Sequence, residues 1–106
     1  MDLVEEIYKL VRKLPKEEIY GISDQMRRSA ISIPSNIAEG QGRLSDAEFK
    51  NFLGIARGSS CELETQILLS VKIGLLSEME VNNSLLLINE IQKMLYSLIQ
   101  KLRTKN

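Results

Sequence analysis

The stretch Gln25 to Arg43, QMRRSAISIPSNIAEGQGR, decides how the chain folds. Met26, Ala30, Ile33 and Ile37 follow one another at spacings of 4, 3 and 4, the repeat that lines one face of an α-helix. Gln25, Arg28, Ser32, Asn36 and Glu39 recur at 3 or 4 on a neighbouring face. A polar stripe therefore runs beside the apolar one, and it needs a partner. Pro34 interrupts the pattern: it removes the amide that would bond the Ala30 carbonyl and crowds that carbonyl, at ~3 kcal/mol if nothing compensates. Either one kinked helix runs on to about Glu39, or the chain pauses and restarts with Ser35 as a cap. The apolar spacing stays in phase from Ile33 to Ile37, which favours the kinked helix, with Gly40 and Gly42 supplying the turn that ends it.

Working outward, Ile19 and Ile22 continue the core face upstream, and Glu17 and Glu18 suit a first turn. The second helix is therefore expected over 16–39. Pro15 divides it from a first helix over 2–14, where Leu3, Ile7, Leu10 and Leu14 keep a 4, 3, 4 spacing and Glu5, Glu6, Lys9, Arg12 and Lys13 form a solvated face. Downstream, Ser45 with Glu48 reads as a capping box opening a third helix over 46–73. Its stripe runs Phe49, Phe52, Leu53, Ala56, Ser60, Leu63, Ile67, Val71. Gly54, Gly58, Ser59 and Ser60 lie mid-helix and predict a close contact with the second helix. Gly74 reads as the residue just past the helix end, with Leu75 and Leu76 folding back over the bundle.

A fourth helix over 78–103 carries Leu85, Ile88, Ile91, Leu95, Leu98 and Leu102, and Leu86, Leu87, Met94 and Ile99 widen its apolar surface beyond one stripe. Lys101, Arg103 and Lys105 complement the dipole at its end. With no strand signal and short turns, the expected fold is all-α, a single-domain up-down-up-down antiparallel four-helix bundle. The first helix is about half the length of the third, so part of the bundle stays uncovered unless another subunit covers it.

Composition narrows the function. The 106 residues carry 14 basic and 14 acidic side chains, so no whole-chain field draws the protein onto nucleic acid or anionic lipid. One cysteine, Cys61, and no histidine exclude an internal disulfide and a Cys/His metal site, and fit a reducing cytoplasm. Without a long apolar run or a signal-peptide core, the protein is expected to be soluble and unexported.

The runs DQMRRSAISIPSNIAEGQGR, EFKNFLGIARGSSCELETQILL and then GLL closely resemble the bacterial four-helix-bundle proteins encoded in intervening sequences of 23S ribosomal RNA genes. The resemblance spans Pro15 to about Leu102, and SIPSNIAEG and ARGSSCELE are its most specific segments. It implies up-down-up-down bundles assembled as homopentameric rings. A relative is the accessory variability determinant of diversity-generating retroelements, a basic pentamer that binds a reverse transcriptase and nucleic acid. Two features depart from the pattern. The first helix lacks the upstream turns, usually with a tryptophan, that the family carries, so Met1 is expected to be either a shortened or an internal start. The net charge is zero where the retroelement relative is strongly basic.

The chemistry is weighed against that background. Gln25, Arg28, Ser32, Asn36 and Glu39, with Ser60, Glu62, Arg57 and Glu64 on the third helix, read as a polar layer between helices or subunits, or as a partner surface. Arg28 is expected to pair with a carboxylate and Asn36 to satisfy carbonyls freed by Pro34. Catalysis is not expected: histidine, the commonest general base, is absent and Cys61 has nothing to activate it. Cys61 reads instead as a small buried apolar residue. GQGR ends a helix rather than starting one, so it is no phosphate loop. No cofactor or metal is implied. Arg27, Arg28, Arg43, Lys50 and Arg57 are the candidate contacts to RNA, DNA or a nucleic-acid enzyme; the other reading is a protein scaffold without a nucleic-acid role.

Overall fold

Ser45 sets the start of one of the two longest helices. Its side chain accepts a hydrogen bond from the Glu48 amide at 3.2 Å and faces the Glu48 carboxylate at 3.4 Å, closing the N-terminus of a helix over Asp46–Lys72. The opposite end closes as the sequence suggests. Gly74 takes φ +85, its amide bonds the Val71 carbonyl, and the Leu75 amide reaches back to Ser70 at 2.9 Å, a Schellman turn. Leu76 is thereby buried. The last helix, Glu78–Thr104, opens with a reciprocal capping box: the Ser77 amide donates to Glu80 at 2.9 Å and the Glu80 amide to the Ser77 hydroxyl at 3.1 Å. The Ser77 amide holds the Glu80 carboxyl below the usual carboxylate range, assisted by the Ser77 hydroxyl and Lys13.

The computed structural model describes residues 2–104, apart from the side chains of residues 19, 20, 103 and 104. Its α-helices are α1 (Asp2–Val11), α2 (Asp24–Gln41), α3 (Asp46–Lys72) and α4 (Glu78–Thr104). There is no strand among the described residues, and no helix long and apolar enough to cross a membrane. The helices pack together as a bundle of 47 × 22 × 19 Å around Leu3, Ile7, Met26, Ile33, Leu53, Leu63, Ile67, Ile88 and Leu95, all fully buried. α2 and α3 are antiparallel, since Gly40 meets Phe49 and Phe52 at one end while Met26 meets Ser70 at the other. α3 and α4 are antiparallel too, with Arg57 beside Tyr96 and Glu64 beside Gln92.

Three expectations are corrected. The second helix does not start at Lys16: a 3-10 turn over Lys16–Glu18 and a π-type turn over Ile19–Ser23 precede it, and Gly21 at φ −105, ψ −115 breaks the helical path, so α2 begins at Asp24. Gly40 is not a terminator. It is buried inside α2, which runs unbroken through Pro34 to Gln41, and the helix stops only at Gly42. The close approach of α2 and α3 is made at Gly40, Ser32 and Ser59 and not at Gly58, where a β-carbon would meet nothing within 4 Å. Gly58 faces away from α2, a position the spacing alone assigned to the wrong side. The core place given to Ile19 and the terminal cations Arg103 and Lys105 lie outside the described residues.

A β-carbon on Gly40 would sit 2.8 Å from the Phe52 Cβ and 2.9 Å from the Phe49 ring, and the Phe52 contact is too near the backbone to yield. Gly40→Ala is expected to cost ~1–3 kcal/mol by overpacking, whereas Gly58→Ala should gain ~0.5–1 kcal/mol from helix propensity in open space. Paired thermal melts check this; a lower melting temperature for Gly58→Ala, or none for Gly40→Ala, would contradict it.

Candidate functional site

The polar stripe of α2 divides in two. Its inner part is a short chain of bonds across the α2–α3 seam: Asn36 Nδ2 donates to the Ser32 carbonyl at 2.8 Å and to the Ser32 hydroxyl at 2.9 Å, and the Ser32 and Ser59 hydroxyls bond each other at 2.8 Å. Asn36 thus serves the Ser32 carbonyl, not the Ala30 carbonyl that Pro34 deprives. Serine lets the two backbones come close and supplies the bond that a buried hydroxyl requires. Ser60, fully buried, turns its hydroxyl back to the Arg57 carbonyl at 2.6 Å.

The outer part is not a buried layer within the chain. Gln25, Arg28, Glu39 and Glu62 are all exposed. Arg28 does pair with a carboxylate, Asp24, at 2.9 Å, but its side chain is 80% exposed. A pair this open contributes little, about 0–1 kcal/mol. Glu39 pairs with Arg43, which also faces Glu48 and lies over the Phe52 ring at 4.9 Å. Cys61, expected inside, is exposed, 3.8 Å from the Gln92 amide nitrogen. Next to the seam, Gln66 keeps its Oε1 buried without a hydrogen-bond partner.

The five cations do not form one patch. Arg27 lines a hollow by Pro15 with Arg12 and Lys16, at the end of the bundle where α1 meets α2. Arg28 and Arg43 are committed to carboxylates. Lys50 and Arg57 line one hollow on the outside of α3. Sequence reasoning missed what surrounds Arg57: its guanidinium lies 5.8 Å from the Tyr96 ring centroid, and Lys93 lines a hollow with both. The 3 and 4 spacing of Lys93, Tyr96 and Gln100 was the available signal. Among the described residues no group of three or more Asp, Glu, Cys or His side chains is placed to hold a metal ion.

Residues 1–97 match the family described as 23S rRNA-intervening sequence protein. The chain belongs to that family. A crystal structure of another chain, a protein of unknown function from the S23 ribosomal protein family of Bacteroides thetaiotaomicron, is 28% identical and superposes with a TM-score of 0.85 over 92% of each chain. No curated protein matches. The bundle of this chain is thus shared by a solved structure.

Because Arg28 is exposed and the serine seam is not, Arg28→Ala should leave stability within ~0.5 kcal/mol, while Ser59→Ala, which removes the bond that Ser32 makes across the seam, should cost ~1 kcal/mol. Urea unfolding of both variants at one protein concentration checks it. A loss at Arg28 equal to or above that at Ser59 would contradict the division of the stripe.

Proposed function

We propose that this protein is a non-enzymatic cytoplasmic subunit of a homopentameric ring of up-down-up-down bundles, and that the ring engages RNA, DNA or an enzyme acting on them. The observation that carries the ring is where uncovered apolar side chains sit. On α3 and at its C-terminal cap, Ile55, Leu69 and Ile73 are 45%, 48% and 64% exposed. Ile55 lies one turn from Ser59, which bonds α2, so these residues flank the α2–α3 seam. On α4, Met94 is 46% exposed beside half-buried Leu87, Ile91 and Leu98 at 4, 3, 4 spacing. Met94 is two residues from both Gln92 and Tyr96, about 200° round the helix from the side that meets α3.

Two apolar strips on different sides suit a head-to-tail contact, in which one strip of each subunit meets the other strip of the next, and such contacts close into rings. The exposed part of the polar stripe, Gln25, Arg28, Glu39 and Glu62, lies alongside the first strip and supplies the polar rim of that contact. The number five rests on the family resemblance, as does kinship with the accessory variability determinant. The non-enzymatic reading rests on the lack of histidine and of an activated nucleophile.

The balance of 14 cations and 14 anions favours a second reading, a pentameric scaffold or adaptor for protein partners with no nucleic-acid role. A labelled RNA or DNA separates the two, because phosphate contacts make affinity fall steeply with salt.

Sedimentation equilibrium is expected to return a mass near five chains of 12.0 kDa. Leu69→Glu and Met94→Glu, on different strips, should each dissociate the assembly. A single-chain mass for the unmodified protein would end the ring reading, and dissociation by only one variant would end the head-to-tail contact.

A further inference from the structure

We propose that the α3–α4 face centred on Arg57 binds single-stranded nucleic acid. This rests on the nucleic-acid reading above and gives it a surface, which borders the first apolar strip at Ile55. Three hollows meet at Arg57. The largest, about 630 Å³, runs along the outside of α3 over Gly54 and Gly58 and is edged by Lys50. A second holds Tyr96 and Gln100, and a third holds Asn89 and Lys93. None of the residues lining these three hollows is acidic. In a chain of zero net charge, the three cations outnumber Glu64, whose carboxylate accepts a hydrogen bond from Gln92 at the third hollow, and so make a local positive field that the total conceals.

Among the described residues, Lys50, Arg57 and Lys93 also have no ion-pair partner, whereas Arg28 and Arg43 are held by Asp24, Glu39 and Glu48. Phosphate is the complement that such uncommitted cations select. The glycines keep the hollow open, since a β-carbon on either Gly54 or Gly58 would meet nothing within 4 Å.

The aromatic component selects the strand state. Tyr96 is 46% exposed, with the Arg57 guanidinium 5.8 Å from its ring centroid, and offers an aromatic face beside a cation on which an unpaired base can lie. Bases in a duplex are already stacked on one another and are not free to do so. Lys50 and Arg57 are two helical turns apart, roughly 10 Å along α3, so they address successive parts of an extended backbone while Tyr96 takes a base. The amides of Asn89 and Gln100 line the same hollows as the ring and can bond base edges without demanding one sequence.

The test is fluorescence anisotropy of labelled 12-nucleotide oligouridine RNA and oligothymidine DNA over a salt series, with sedimentation equilibrium on every variant. With three phosphate contacts at about 0.7 each, log affinity should fall against log salt with a slope near −2. Arg57→Ala and Lys93→Ala should each flatten that slope by about 0.7. Tyr96→Ala should weaken binding about tenfold with the slope retained, and Arg28→Ala should change neither quantity. Tighter binding of the RNA makes RNA the source of the strand; equal binding means the site reads only phosphate and base.

Binding by the unmodified protein that is insensitive to Arg57, Lys93 and Tyr96 would overturn this site and leave the broader reading standing. No binding of either strand at low salt would overturn both. A drop in sedimentation mass for Lys50→Ala or Lys93→Ala would show the face to be a subunit contact and overturn the proposal.

Discussion

The close approach of α2 to α3 is the constraint on which the remaining geometry depends. At one end Gly40 admits Phe49 and Phe52 to distances that no side chain would tolerate. In the middle, Ser32 and Ser59 are small enough for the backbones to near each other and polar enough to bond across the gap. At the other end Ser70 reaches Met26. Together these fix the register of the antiparallel pair, and α1 and α4 then pack on the apolar ridges that the pair presents. Pro34 is tolerated within this seam because the helix is held on both sides of it by tertiary contact, which outweighs a lost backbone bond.

Fixing α2 on one flank of α3 also decides what α3 shows elsewhere. The residues facing α2 are small and bonded; beside them Ile55, Leu69 and Ile73 are exposed. On the side turned toward α4, Arg57 lies over Tyr96 and Lys50 edges an open hollow. A single helix of 27 residues thus carries a packing face, an apolar flank and a basic flank. On the proposed reading, assembly and nucleic-acid recognition use neighbouring flanks of α3 that meet at Ile55.

Much of this was legible in the sequence, for identifiable reasons. Helix periodicity located the core, because Leu3, Ile7, Met26, Ile33, Leu63 and Ile88 follow the 3.6-residue repeat without interruption. The Ser45–Glu48 box and Gly74 marked helix ends because their signals are local. Glycine in mid-helix was less readable: Gly40 and Gly58 look alike in sequence, and only the tertiary arrangement puts one against two phenylalanines and the other in solvent. Polar side chains were harder still. The stripe of Arg28, Asn36 and Glu39 shares a helix face, but the degree of burial along it depends on a few degrees of rotation toward α3, so Asn36 entered the seam and Arg28 stayed out. Tyr96 escaped notice because its meaning comes from Arg57, 39 positions away in the chain and adjacent only after α3 and α4 pair.

Native mass spectrometry of the protein titrated with oligouridine RNA tests the account most directly, since it counts subunits and bound strands in the same species. The account predicts an assembly of five 12.0 kDa chains that takes up RNA without changing its subunit number. A single chain with no bound strand, or an assembly that falls apart as RNA binds, would contradict it.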